Sequence, residues 1–169
     1  DSIVKKLKKD GHDVTIENMM EHLSDIAGIR IICSFTSDIY QIAEMIAHQA
    51  DVTVLHVKDY IKNPKPNGYK SYHMVVTVPV YLSDGPVETK VEVQIRSVAM
   101  DFWASLEHKI AYKFEGNAPE NLLKELKACA DIVDMLDAKM FSLNEAITAY
   151  AAEQRRQEQQ AAKTEEEFL

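Results

Sequence analysis

At 169 residues, 46% hydrophobic and 27% charged, the chain is long enough for one domain with a full core plus an appendage. Its net charge of -8 argues against a general nucleic-acid binder. No apolar run approaches the ~20 residues of a membrane span and no signal peptide is present, so no membrane role is expected.

Cys33 and Cys129 stand apart, without metal spacing, and read as buried thiols of a reducing, cytoplasmic compartment. The average charge hides a contrast. Residues 1–9 and residues 58–73 each hold four lysines and one aspartate, a net +3 apiece, which leaves -14 for the rest. Cations gathered in two short places on an acidic chain suit small anionic ligands; solvated surface lysines fit the same count.

The chain opens without Met, inside an expected helix whose stripe is Ile3, Val4 and Leu7, which reads as a fragment lacking an upstream part. Thr15 is placed to cap a second helix carrying Ile16, Met19, Met20 and Leu23 at i, i+3, i+4 and i+7. Gly28 to Phe35 follows as a strand with Ile29, Ile31, Cys33 and Phe35 on one face and Arg30, Ile32 and Ser34 on the other. Ser37 or Asp38 is expected to cap a helix burying Ile39, Ile42, Ala43, Ile46 and Ala50. Val52 to Val57 is a second β-rich run.

Asp59 to His73, DYIKNPKPNGYKSYH, then breaks the alternation. Pro64 and Pro66 fix φ, Asn67-Gly68 tolerates positive φ, and Tyr60, Tyr69, Tyr72 and His73 interleave with Lys62, Lys65 and Lys70. Ammonium groups suit phosphates and ring faces suit bases, so a nucleotide is the ligand class this loop fits; a solvated hairpin loop fits the same composition. Tyr72 to Val78 and Val87 to Ile95 alternate cleanly around Ser83-Asp84-Gly85-Pro86, an antiparallel hairpin. Helix resumes near Val98 and runs past Trp103 to Tyr112. The order α-β-α-β-β-β-α gives an α+β sheet with helices packed on one face.

After a candidate linker at Gly116-Asn117-Ala118-Pro119, Leu122, Leu126, Cys129, Val133, Leu136, Met140, Leu143 and Ile147 keep an unbroken 4-3 spacing. A long helix with so narrow a seam needs a partner, either the domain's own helices or another subunit. Past Glu153 the stripe ends in a polar tail. The expected units are residues 1–117, 118–152 and 153–169.

Strand parity locates the chemistry. Neighbouring strands would gather Asp25, Arg30, His73, Glu92, Gln94 and Arg96 on one face, where two carboxylates suit Mg²⁺ with phosphates and water. An open sheet face with cross-strand charge pairs fits the same pattern. Phosphate-loop, dinucleotide and kinase signatures are absent, and the six histidines show no zinc spacing with the cysteines.

DIAGIRIIC (25–33), DYIKNPKPNGYKSYH (59–73) and VEVQIRSVAMDFWASLEHKIAYK (91–113), in this order, resemble the synthetase domain of the RelA/SpoT family. The passage into a heptad helix without a hydrolase domain resembles its small alarmone synthetases. The resemblance covers about residues 1–150. It implies a nucleotidyltransferase-like α+β fold, a mixed sheet packed with helices and followed by a long C-terminal helix. The implied reaction moves pyrophosphate from ATP to the 3′-hydroxyl of GDP or GTP with Mg²⁺, giving AMP and ppGpp or pppGpp.

By the same resemblance Asp25 is a metal-binding aspartate and Glu92 the glutamate that activates the hydroxyl and shares the metal. Tyr69 stacks on guanine, while Lys65, Asn67, His73 and Gln94 surround the acceptor nucleotide. Arg30 with Lys5, Lys6 and Lys9 serves ATP. The family's basic RxK motif would fall before Asp1, so this stretch alone is expected to bind ATP poorly. The resemblance also implies a homo-oligomer, a tetramer, with RNA or alarmone as effector. A catalytically silent relative that binds guanine nucleotides or RNA through Tyr69 is the alternative; retention of Asp25 and Glu92 speaks against it.

Overall fold

A computed structural model describes residues 2–113 and 118–167. The elements are α1 (Ser2–Lys9), α2 (Ile16–His22), β1 (Ala27–Cys33), α3 (Thr36–Ala47), β2 (Thr53–Asp59), β3 (Tyr72–Leu82), β4 (Gly85–Ser97), α4 (Val98–Lys113) and α5 (Glu120–Glu167). The four strands form one mixed sheet in the order β1-β4-β3-β2. β4 therefore lies between β1, to which it runs parallel, and β3, to which it runs antiparallel.

The hairpin of β3 and β4 forms as the alternation requires, with Leu82 opposite Gly85 across Ser83-Asp84. Gly85 takes φ +120°, which a side chain would resist. Both strands are longer than the alternation indicated, because ladder pairing carries Pro79 to Leu82 into β3 and Gly85 to Pro86 into β4.

The apolar face of β4 (Val91, Val93, Ile95) joins Met74, Val76 and Cys33 under Ile39 and Ala43 of α3. At ~25 cal/mol per Å² of apolar surface removed from water, this layer is the main stabiliser of the domain. Burial also raises the pKa of the Cys33 thiol, with Asp38 adding to the shift. Thr15 caps α2 as expected, its Oγ1 accepting the Asn18 N–H at 3.1 Å. On α3 the cap shifts. Phe35 occupies the N-cap and Asp38 sits at N3, where its Oδ2 accepts the Phe35 N–H at 3.0 Å. A carboxylate one turn into a helix satisfies an orphan donor as effectively as a cap residue. Ala50 lies beyond the end of this helix, exposed.

Three further expectations are corrected. Helices are not confined to one face: α2 rests at one end of the other face, where Met19, Met20 and Leu23 line a cleft with Thr77 and Lys90. Lys90 Nζ fixes that contact by donating to the Glu21 carbonyl at 2.6 Å. Cys129 is exposed rather than buried. The part of α5 that packs on the body is Leu126, Ala130, Val133, Asp137 and Phe141, which shares Leu126 and Val133 with the heptad seam and diverges from it beyond them. Leu136, Met140, Leu143 and Ile147 of the seam stay 50–59% exposed. α5 runs without a break across the 152/153 boundary, while Gly116-Asn117 of the candidate linker lies outside the described residues. Among the described residues no helix is long and apolar enough to cross a membrane.

Candidate active site

The ladder register decides which side chains share the open face. In the parallel pair, Arg30 lies opposite Gln94 and Gly28 opposite Glu92; in the antiparallel pair, His73 lies opposite Gln94 and Val75 opposite Glu92. Partners across a ladder point the same way, so Arg30, His73, Glu92 and Gln94 emerge together. Gly28, Ile29, Arg30, Glu92 and Gln94 line an open cleft there.

The loop between β2 and β3 is folded by its own polar groups. Asp59 Oδ1 accepts the N–H groups of Ile61 and Lys62 at 2.9 and 3.0 Å, and Tyr40 donates to Oδ2 at 3.2 Å. Asn67 Oδ1 accepts the Tyr69 N–H at 3.1 Å, the local turn bond that asparagine favours. Asn67 Nδ2 donates to Glu107 of α4 at 3.3 Å. Gly68 is buried at φ +91°, and a Cβ there would lie 2.5 Å from the Ala130 Cβ of α5. Lys70 and Asp134 add an ion pair at 2.6 Å. The loop is thus held between α4 and α5, with Tyr69 packed against Trp103, Ala104 and Ala130.

Rings and cations alternate in space as they do in sequence. Tyr60, Tyr69 and His73 meet edge to face with centroids 5.2–6.0 Å apart. Lys65 Nζ stands 4.8 Å from the Tyr60 ring centroid and 4.6 Å from that of Tyr69. An ammonium over two rings is stabilised by about 0.5–1 kcal/mol per exposed contact, little enough for a base to replace it.

Glu92 sits at the centre. His73 Nδ1 lies 3.0 Å from Oε1, and Gln94 Nε2 donates to Oε2 at 3.0 Å. A carboxylate oxygen accepts, so Nδ1 carries the proton and Nε2 accepts from the Tyr69 hydroxyl at 2.8 Å. Burial lowers the His73 pKa below the ordinary histidine value; Arg96 and Lys65 act the same way, and the Glu92 bond opposes them. These effects together favour the neutral ring.

Arg96, 5% exposed, completes the set. Its Nη2 donates to the Tyr69 hydroxyl at 2.6 Å and to Gln94 Oε1 at 3.1 Å, its Nε to Ser71 Oγ at 3.3 Å, and its Nη1 to Asp101 Oδ1 at 3.1 Å. The same Asp101 oxygen lies 3.4 Å from Arg30 Nη1. Arg96 followed from parity, but Asp101 did not, because the direction in which α4 leaves β4 is a tertiary feature.

Of the remaining expected residues, Asp25 pairs with Lys6, and Lys5 and Lys9 are exposed on α1. No cluster of three or more His, Cys, Asp or Glu suited to a metal occurs among the described residues. The carboxylates of Asp25 and Glu92 are oxygen donors, the chemistry that a hard cation takes together with water and phosphate.

Residues 1–117 match the family model described as "Region found in RelA / SpoT proteins". The chain is 48% identical over 147 residues to GTP pyrophosphokinase YwaC of Bacillus subtilis, covering 87% of this chain and 70% of that protein. It superposes on small alarmone synthetase 2 from Bacillus subtilis with a TM-score of 0.79 at 48% identity, over 86% of this chain and 75% of the other. Small alarmone synthetase 1 from the same organism, bound to its product pppGpp, gives 0.79 at 36%, over 86% and 73%. The same synthetase bound to AMPCPP gives 0.71 at 33%, over 87% and 72%.

Proposed function

This chain belongs to the RelA/SpoT family, and from that premise we infer a small alarmone synthetase that transfers pyrophosphate from ATP to the 3′-hydroxyl of GDP or GTP. The observation that carries the reading is Glu92, held at both carboxylate oxygens on an open face between a tyrosine-lysine loop and Arg30.

The acceptor guanine stacks on Tyr69, replacing Lys65 on the ring, and Lys65 then faces the acceptor's phosphates. Asn67, His73 and Gln94 border that nucleotide. The 3′-oxygen attacks the β-phosphorus of ATP, a new O–P bond forms, and the bond to the α-phosphate oxygen breaks, so the electron pair leaves with AMP. Glu92 takes the hydroxyl proton; each of its oxygens holds one donor and keeps a lone pair for this. Arg30, Lys5, Lys6 and Lys9 offset charge on the donor phosphates.

Asp25 and Glu92 are the residues that would hold Mg²⁺, which when bound supplies charge neutralisation at the phosphoryl oxygens. Holding two nucleotides in line carries much of the rate. With ATP and guanine nucleotides as substrates, the cytoplasm is the assigned compartment.

The exposed seam of α5 supports a homo-oligomer, with residues 118–152 as the assembly segment and a tetramer as the family's arrangement. Sedimentation that finds only monomer would remove this part. For the activity, full chain incubated with ATP, GDP or GTP and Mg²⁺ should yield AMP and alarmone. A folded, metal-supplied protein that makes neither overturns the reading. Tight, steeply salt-dependent RNA binding without turnover would replace it with the silent relative.

A further inference from the structure

Arg96 is buried at the acceptor side, and no step of the reaction above uses it. From its Nη2 two routes lead to Glu92. One passes through the Tyr69 hydroxyl at 2.6 Å, then His73 Nε2 at 2.8 Å, and from Nδ1 to Oε1 at 3.0 Å. The other passes through Gln94 Oε1 at 3.1 Å and from Gln94 Nε2 to Oε2 at 3.0 Å.

The directions close without conflict. The guanidinium only donates, the tyrosine oxygen accepts from it and donates onward, and each route ends on a different oxygen of the same carboxylate. A carboxylate gripped at both oxygens cannot turn about its terminal bond without breaking one grip. Asp101, at 3.1 Å from Nη1, balances the charge of the buried guanidinium.

We propose, resting on the alarmone-synthetase reading, that Arg96 is a positioning residue. Through Tyr69 and His73 on one side and Gln94 on the other it fixes the Glu92 carboxylate for the acceptor hydroxyl. The ring that receives guanine and the group that receives the proton are then parts of one closed network. An arginine that merely tied β4 to α4 through Asp101 would affect melting, with no selective effect on turnover.

The Tyr69 hydroxyl separates these cases. Tyr69→Phe keeps the ring for guanine and leaves the Arg96–Asp101 pair in place, but cuts one route. Its kcat should fall roughly tenfold, the order expected for one positioning hydrogen bond, with the guanine-nucleotide KM within about twofold of the parent. Arg96→Lys, whose three donors cannot reproduce the four contacts of the planar guanidinium, should lower kcat at least as far, and adding Tyr69→Phe to it should cost less than it does alone. A readout that needs no turnover is the ¹⁵N resonance of His73 Nε2, which is linked to Arg96 by hydrogen bonds through the Tyr69 hydroxyl and should shift in Arg96→Lys.

Parent-like kcat in a folded Tyr69→Phe, or an unmoved His73 resonance in Arg96→Lys, overturns the proposal. Parent protein that makes no alarmone, with the His73 resonance still responding to Arg96→Lys, overturns the reading of function and leaves the network standing.

Discussion

On the acceptor side of the open face, Tyr69, His73, Gln94 and Arg96 hold one another and Glu92 through contacts of 2.6–3.1 Å, and the loop that carries Tyr69 is pressed on α5 through Gly68. On the donor side, Lys5, Lys6 and Lys9 project from the eight-residue α1, and Arg30 stands half exposed on the edge strand β1. The difference lies in when order is imposed. Folding has already fixed the acceptor side, so in the proposed reaction guanine meets a formed platform and a fixed carboxylate. The donor side offers exposed cations, and in the proposed reaction the entropy of ordering them on a polyphosphate comes out of ATP affinity.

Substitutions can break or sharpen this contrast. The largest effect is expected from Glu92→Gln, which keeps both neighbours but cannot take the hydroxyl proton. Turnover should fall a hundredfold or more while guanine-nucleotide affinity, measured by calorimetry, stays near the parent value. Asp25→Asn should also suppress turnover, by about tenfold or more through the metal, yet leave the melting temperature nearly unchanged. Its partner Lys6 is an exposed cation, and exposed pairs contribute about 0–1 kcal/mol.

Gly68→Ala should do the reverse of Asp25→Asn. A methyl group at φ +91°, 2.5 Å from Ala130 Cβ, should cost about 1–3 kcal/mol and weaken guanine-nucleotide binding, with ATP affinity preserved. Parent-like melting of that variant would show that α5 does not brace the loop.

The smallest effect concerns pH. The Tyr40 hydroxyl, desolvated and bonded to Asp59 at the base of the loop, has its pKa raised to about 12. A raised folded value stabilises the fold below the unfolded pKa near 10, and that contribution is lost as pH climbs from about 10 to 12. Alkaline unfolding should therefore be less steep over this window in Tyr40→Phe.

Legibility in the sequence followed the range of the interaction. Alternation over Val87–Ile95 located the central strand and put Glu92 and Gln94 on one face, and Thr15 ahead of the Ile16, Met19, Met20 and Leu23 stripe marked a cap. The 59–73 loop stood out through its prolines and Asn67-Gly68. Features that depend on how distant elements dock were not legible. Asp101 meets Arg96 and Arg30 through the direction in which α4 leaves β4, and Gly68 is constrained by a helix some sixty residues away. The heptad spacing fixed a helix and a stripe but not which flank faces the body. Trp103, donating to the Leu126 carbonyl at 3.0 Å, and Asp137, accepting from Ser97 at 2.7 Å, made that choice.

α5 has 48 residues, about 72 Å at 1.5 Å per residue. The contacts with the body described above run from Leu126 to Phe141, so the helix is clamped near its root and projects well beyond the clamp. In mechanical terms it is a cantilever whose fulcrum bears on the acceptor loop at Gly68 and Lys70. A force applied beyond the clamp, at Ile147 or Tyr150, exerts a torque that the contacts on the acceptor loop must bear.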